Sequence, residues 1–329
     1  MRRSFALFAV LLVGGVAVAK DPPAGRAAFD LSLLTRPADG GVMAFRPAEI
    51  AAHAGAPDEA VTAFVAQLAK AGAAFIDGGL KAEDLPAASA IEQVVIGLSL
   101  NLKLSTTTEQ GAFSVTGTNF GHVRTTDKFD WAGLLKKTFP KAVAKSHAGS
   151  EYLPVGMKFG GWEFAIGFFV ADERTLVFDV NAGKMEEWLA GRGKKKAPQM
   201  PAGWDDVKGC SVAFALPAGD RSWMTSAGEL DEFGRLAKDL ASGLTSACVG
   251  VTFGDTTTAV GVFTATSDDA AFTAEGVLNK ALTALSESLP EPLAGQANAT
   301  GIREGKTVRV DAAVKSNVLK AFLNPLAAK

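Results

Sequence analysis

"EFAIGFFVADERTLVFDV" occupies Glu163–Val180, and two apolar runs meet in it across a short charged knot, Asp172-Glu173-Arg174. In the first run Phe164, Ile166, Phe168 and Val170 fall on one side, and Ala165, Gly167, Phe169 and Ala171 on the other. That is the period of two of a β-strand. The knot is either a cluster of catalytic charges or a turn. A later stretch decides between them. "EGKTVRVDAAVKSNVLKAFL" (Glu304–Leu323) aligns with "DERTLVFDVNAGKMEEWLA" (Asp172–Ala190), setting Thr307 on Thr175 and Asp311 on Asp179. There Gly305 stands in the place of Glu173. Glycine suits a turn and supplies no carboxylate, so the knot reads as a hairpin tip whose charges discourage edge pairing.

The alignment extends outward into a repeat. "GGVMAFRPAEI" (Gly40–Ile50) opens one half and "GCSVAFALPAGD" (Gly209–Asp220) the other, with Phe45 matching Phe214 and Pro47 matching Pro217 within one gap. Helical stripes follow each opening: Val61, Phe64, Val65, Leu68, and Leu230, Phe233, Ala237, Leu240, Leu244. Paired strands come next. Ile91–Leu104 alternates strictly and Gly111–Thr118 is its expected partner; "ACVGVTFG" and "TTAVGVFTAT" pair in the second half across Gly254-Asp255. Further helices carry Trp131, Leu134, Leu135 and Thr138, and Leu278, Leu282, Leu285 and Leu289. The second of these starts at Ser267-Asp268-Asp269. Lys141–Gly161 reads as an insertion in the first half.

The expected fold class is therefore α+β: two related β-α-β-β-α-β-type repeats, with mainly antiparallel sheets and helices on one face. The divisions are a signal peptide (1–19), a leader (20–39), the first repeat (40–190), a linker (191–208) and the second repeat (209–329). The strand at Glu163–Ala171 fits the one-face arrangement poorly, as does Cys248–Phe253. Their second faces are small and almost uncharged rather than polar, which permits close approach by another surface. The opposite repeat is the expected cover.

"MRRSFALFAVLLVGGVAVAKD" has a positive start at Arg2-Arg3, a short apolar run and an Ala17-Val18-Ala19 cleavage signal. Cleavage between Ala19 and Lys20 and export to the periplasm or beyond are expected. Removing residues 1–19 leaves 31 basic and 35 acidic residues, a net charge of −4. That balance gives no reason to expect nucleic acid or an anionic membrane as partner. No later segment is long and apolar enough to span a bilayer. Export permits a disulfide between the two cysteines, Cys210 and Cys248; since each opens an apolar run, two buried free thiols compete as the explanation.

Chemistry leaves little trace. His53, His122 and His147 stand alone in sequence, and H-E-x-x-H, C-x-x-C, G-x-S-x-G and G-x-G-x-x-G are all absent. "GTNFGH" (Gly117–His122) lacks the lysine and spacing of a phosphate loop. Twenty-one phenylalanines against one tyrosine, Tyr152, point to packing rather than to a carbohydrate-type surface. No catalytic residue, cofactor-binding residue or metal ligand is assigned, and no cofactor is expected.

"FDLSLL" (Phe29–Leu34), "VMAFRPAEI" (Val42–Ile50), "IEQVVI" (Ile91–Ile96) and "DERTLVF" (Asp172–Phe178), together with the signal peptide, resemble a group of uncharacterised secreted bacterial proteins of planctomycete type. The resemblance implies export and a repeated α+β architecture and carries over no catalytic residue. The chain thus reads as a secreted non-enzymatic protein that binds or scaffolds in the periplasm or envelope, its partner unknown. The alternatives are a carrier of apolar ligands, using the small-residue sheet face as its groove, and an enzyme whose site is assembled from dispersed residues.

Overall fold

A computed structural model describes residues 26–34, 41–53, 84–98, 100–105, 112–117, 120–159, 162–192, 198–216, 243–288 and 300–315. Among the described residues are fourteen strands and five helices. The strands are β1 (Gly41–Phe45), β2 (Ile91–Leu98), β3 (Leu100–Ser105), β4 (Ala112–Gly117), β5 (Phe120–Thr125), β6 (Lys145–His147), β7 (Ser150–Phe159), β8 (Trp162–Asp172), β9 (Thr175–Asp179), β10 (Val212–Leu216), β11 (Leu244–Thr252), β12 (Thr256–Ala265), β13 (Thr300–Glu304) and β14 (Thr307–Lys315). The helices are α1 (Pro47–His53), α2 (Trp131–Thr138), α3 (Ala182–Gly191), α4 (Trp204–Val207) and α5 (Asp268–Ser288), with a 3-10 turn at Ala88–Ala90. The stripes at Val61–Leu68 and Leu230–Leu240, and Leu289, lie outside the described residues; Leu244, expected to continue the second stripe, opens β11 instead.

Twelve strands form one antiparallel sheet, in the order β13-β14-β12-β11-β10-β1-β2-β5-β9-β8-β7-β6. β1 pairs with β10 at its centre, with Met43 opposite Phe214 and Ala44 opposite Ala213. The strands leading away from this seam run β1-β2-β5-β9-β8 on one side and β10-β11-β12-β14-β13 on the other. β7 and β6, from the expected insertion, extend the first side. The long alternating stretch at Ile91–Leu104 is divided between sheets. β2 lies between β1 and β5, whereas β3 forms a separate two-stranded ribbon with β4.

Helices cover both faces of the sheet, not one. Leu176 and Val177 are neighbours on β9 and so point oppositely. Leu176 packs with Trp131, Leu135 and Phe139 in and beside α2, while Val177 packs with Met185, Trp188 and Leu189 of α3. On β12, Val262 joins Trp204 and Val207 of α4, and Phe263 lies against Ala271, Ala274 and Leu278 of α5. Residues paired across antiparallel strands share a face. The row Val177–His122–Val95–Ala44–Ala213–Gly250–Val260 therefore places α3 and α4 on one face, α2 and α5 on the other. The reason is visible in the strands: both of their sides are apolar, so both need cover.

The small-residue face is covered by the chain's own short elements rather than by an opposing repeat. A Cβ on Gly167 would sit 2.8 Å from Met185 Cβ, and one on Gly250 would sit 2.5 Å from Cys210 Sγ and 2.9 Å from Val207 Cβ. Hydrogen at these positions lets α3 and α4 lie directly on the strands. Between them residues 26–34 cross the same face as a strap. Phe29 (4% exposed) and Leu34 (2%) enter the core, with Leu31 and Leu33 packed beside them. The Phe29 N–H donates to Lys208 O and the Trp188 indole to Leu33 O. Each apolar side chain so buried contributes on the order of 1.5–3 kcal/mol.

Helix ends follow ordinary capping chemistry. Asp130 accepts from Gly133 N at the start of α2, Asn181 accepts from Gly183 N and Lys184 N at the start of α3, and Ser267 Oγ accepts from Ala270 N before α5. The C-terminal part of the expected linker is itself packed: α4 turns there, burying Trp204 and Val207.

Candidate functional site

Under the strap, polar side chains from four parts of the chain meet. His122 on β5 is completely buried, and Gln93 on β2 is 2% exposed. Their side-chain nitrogens, both named Nε2, lie 3.2 Å apart, and Gln93 Oε1 accepts from the backbone of Asp30 at 3.1 Å. An amide nitrogen can only donate, so His122 Nε2 is the acceptor and its proton sits on Nδ1. Nδ1 is buried and, among the described residues, has no hydrogen-bond partner. Burial is the main cause that pushes the imidazole down to about 4, with Arg124 acting the same way and Asp30 opposing.

The edge of this cluster is a row of alternating charges. Asp30 pairs with Arg124 (3.3 Å), Arg124 with Glu92 (3.6 Å), and Glu92 with Arg174. All four are about one-third exposed. Burial raises the Asp30 carboxyl, but Ser32 hydrogen bonds and the His122 and Arg124 charges outweigh it, leaving Asp30 below its ordinary value. Arg174 also donates to Thr125 O at 2.8 Å. It belongs to the knot, which is a turn: Arg174 N donates to Asp172 Oδ1, Glu173 O accepts from Phe129 N, and the Glu173 carboxylate pairs with Lys128, both side chains about 70% exposed. Its counterpart at Gly305 adopts φ +57°, the left-handed region that glycine enters without strain.

A second cluster bolts the two sides of the seam together. Arg26 donates to Glu49 (2.9 Å), to Ser211 Oγ (3.2 Å) and to Phe253 O (3.5 Å). Ser211 Oγ donates to Glu49 and accepts from Phe253 N. Arg46, 7% exposed, donates to Cys210 O and Ala27 O and lies 4.2 Å from the centre of the Phe29 ring. Burial lowers its pKa and Glu49 resists that, while a guanidinium stays charged throughout. Among the described residues the carboxylate beside Ser211 is Glu49, itself held by Arg26 and Arg46, an ion-paired group rather than a free base.

Cys210 and Cys248, read from sequence as a candidate disulfide, are separate, buried free thiols. Burial raises both, Cys248 to about 12, which keeps them protonated and unreactive. Asp179 and Asp311, which the sequence alignment sets on one another, have different surroundings. Asp179 is fully buried and accepts from Asn181 N; Asp311 shares Arg309 with Asp206, tying α4 to β14. Tyr152 donates to Glu186, and burial pushes its phenol up to about 12. His53 is exposed and His147 half-buried. Among the described residues no group of three or more His, Cys, Asp or Glu is placed to hold a metal ion. Ala19 and Lys20, and the lysine run Lys194–Lys196, lie outside the described residues.

In sequence His122 stands alone, and Arg26, Arg46, Glu49 and Ser211 carry no local mark of a cluster. One signal was there: Gln93 interrupts the apolar run "IEQVVI", and a buried amide needs a partner.

No family model matches the chain, and no curated protein matches it. Among solved structures, crystal form I of TP0453 superposes with a TM-score of 0.48 at 9% identity, covering 91% of this chain and 98% of that one. A likeness of that size carries no argument about function. With a large antiparallel sheet and five helices among the described residues, the chain is an α+β protein.

Proposed function

We propose that the chain is an exported, non-enzymatic protein that binds or scaffolds in the periplasm or envelope, built from two related β-α-β-β-α-β-type repeats. The repeat is supported by the matching strand orders on the two sides of the β1–β10 seam. Export is supported by the tripartite N-terminus and by the resemblance to secreted planctomycete-type proteins.

One observation carries the non-enzymatic reading. The two richest polar clusters are spent on joining distant segments: Asp30 of the strap to Gln93 of β2, Arg26 and Glu49 to Ser211 across the seam. Catalysis needs a titratable group that meets both solvent and substrate near its working pH. Here the buried groups, His122, Cys210 and Cys248, are shifted away from that range and enclosed. The carrier reading needs an open small-residue face, and at Gly167, Ala44, Ala213 and Gly250 the strap, α3 and α4 already occupy it.

Native mass spectrometry of the protein extracted from its own envelope tests the proposal. The expected species has the mass of the chain from Lys20 with no small-molecule adduct. A stoichiometric lipid-sized adduct would assign the carrier role instead, and a retained Met1 would remove the exported address.

A further inference from the structure

Among the described residues the sheet is open, with β6 and β13 at its two ends. β6 is three residues long, with exposed Lys145, and it enters a turn with positive φ at Ala148 and Gly149. Shortness, a lysine and a sharp turn are ordinary protections for a sheet edge. β13 is longer and exposes Ile302 at 61%; α5 adds Phe272 beside it at 67%, with the Arg303 guanidinium 5.9 Å from the Phe272 ring. Two of the three exposed large apolar side chains among the described residues therefore sit at this end.

The β13–β14 ladder shows which backbone groups face outward. Glu304 and Thr307 close the turn at Gly305-Lys306, and hydrogen-bonded and non-hydrogen-bonded pairs alternate from there. Gly301 then faces away from β14, and Asn279 confirms it. Gly301 N donates to Asn279 Oδ1 at 2.7 Å, and Asn279 Nδ2 donates to Gly301 O at 3.3 Å. A side-chain amide thus takes the donor and the acceptor that a neighbouring strand would take. By the same alternation Arg303 turns its N–H and C=O outward.

We propose that β13 is an edge for antiparallel pairing with the β13 of a second copy of this chain, and that the Asn279 carboxamide holds that edge closed. The segment complements itself. With Ile302 on the twofold axis, Gly301 faces Arg303 and Thr300 faces Glu304, so no like charges stand opposite each other. The two Ile302 side chains cover one another. Gly301 has no side chain to obstruct the arginine. Each outward pair, Gly301 with Arg303, then forms hydrogen bonds only after Asn279 releases Gly301.

Sedimentation equilibrium on the mature chain tests this with wild type, Asn279→Ala, Ile302→Lys and the double variant. Wild type is expected to be monomeric in the micromolar range. Asn279→Ala removes two competing neutral hydrogen bonds and should tighten dimerisation by about tenfold or more. Ile302→Lys added to it should restore the monomer by placing two lysines face to face. Far-ultraviolet circular dichroism and urea midpoints identify any variant that has lost its fold. Should Asn279→Ala prove misfolded, Asn279→Leu serves in its place, since it keeps nearly the same volume, loses both the donor and the acceptor held against Gly301 and should dimerise more tightly than wild type. Folded Asn279 variants that stay as monomeric as wild type overturn the proposal. So does a dimer that Ile302→Lys leaves intact.

Discussion

Acidification should weaken this protein first through one residue, His122. Its imidazole is neutral in the folded chain and pushed down to about 4, against 6.5 when unfolded. Above pH 6.5 the ring is neutral in both states and contributes no pH dependence. Between pH 6.5 and about 4 the unfolded chain takes up a proton that the folded chain refuses, so stability falls as pH falls. The slope approaches about 1.4 kcal/mol per pH unit, and the loss across the window is about 3 kcal/mol. Asp30, held below its ordinary 3.8, adds a further loss only at lower pH. Urea unfolding followed by tryptophan fluorescence at pH 7.5, 6, 5 and 4.5 gives the curve, and His122→Gln gives the background from all other groups. The glutamine keeps a polar group beside Gln93 without a titrating ring. Wild type minus variant should decline by most of the expected amount between pH 6.5 and 4.5. A difference that stays flat within about 0.5 kcal/mol would show that the ring reaches solvent or finds a partner for Nδ1, and the reasoning about the cluster would fail.

Glu173→Gly should change stability by no more than about 0.5 kcal/mol, because its Lys128 pair is exposed; a loss of several kcal/mol in denaturant titration would mean the knot does more than turn the chain. Gly250→Val should cost about 1–3 kcal/mol or more, since the added carbons meet Cys210 Sγ and Val207, and an unchanged melting midpoint would contradict the close approach of α4. Trp188→Ala should cost about 3–5 kcal/mol, removing a 1%-exposed indole and its bond to Leu33 O. Cys210 and Cys248 should both resist a thiol reagent in the folded protein and react on unfolding; a mass two units low with no free thiol would instead establish a disulfide.

Local patterns carried much of the fold. The turn at Asp172–Arg174, the cap at Asp130, the stripe through Trp131 and Leu135, and the strand pairs flanking Gly254 are all set by residues within a few positions of one another. What sequence could not show was the seam, because nothing local says that Ala44 will face Ala213. Without the seam the sheet looks like two, and its small-residue face looks as though it awaits another sheet. The clusters were hidden for the same reason. Arg26, Glu49 and Ser211 are scattered along the chain, and each resembles a solvated surface residue until the fold brings them together. Gln93 was the exception: an amide in an apolar strand announces a partner, though not which one.

The central position of the β1–β10 pair has a consequence for how the chain is made. β1 leaves the ribosome early and can pair with β2 on one side soon after. Its other side is met by β10 only about 170 residues later, which at usual elongation rates is roughly 10–30 s. For that interval the half-finished sheet ends in Gly41–Phe45, an uncharged apolar strand with an open hydrogen-bonding edge. A nascent chain in that condition needs a holdase or dilution to avoid sticking to its neighbours, and the same strand that joins the mature protein is its weakest point while unfinished.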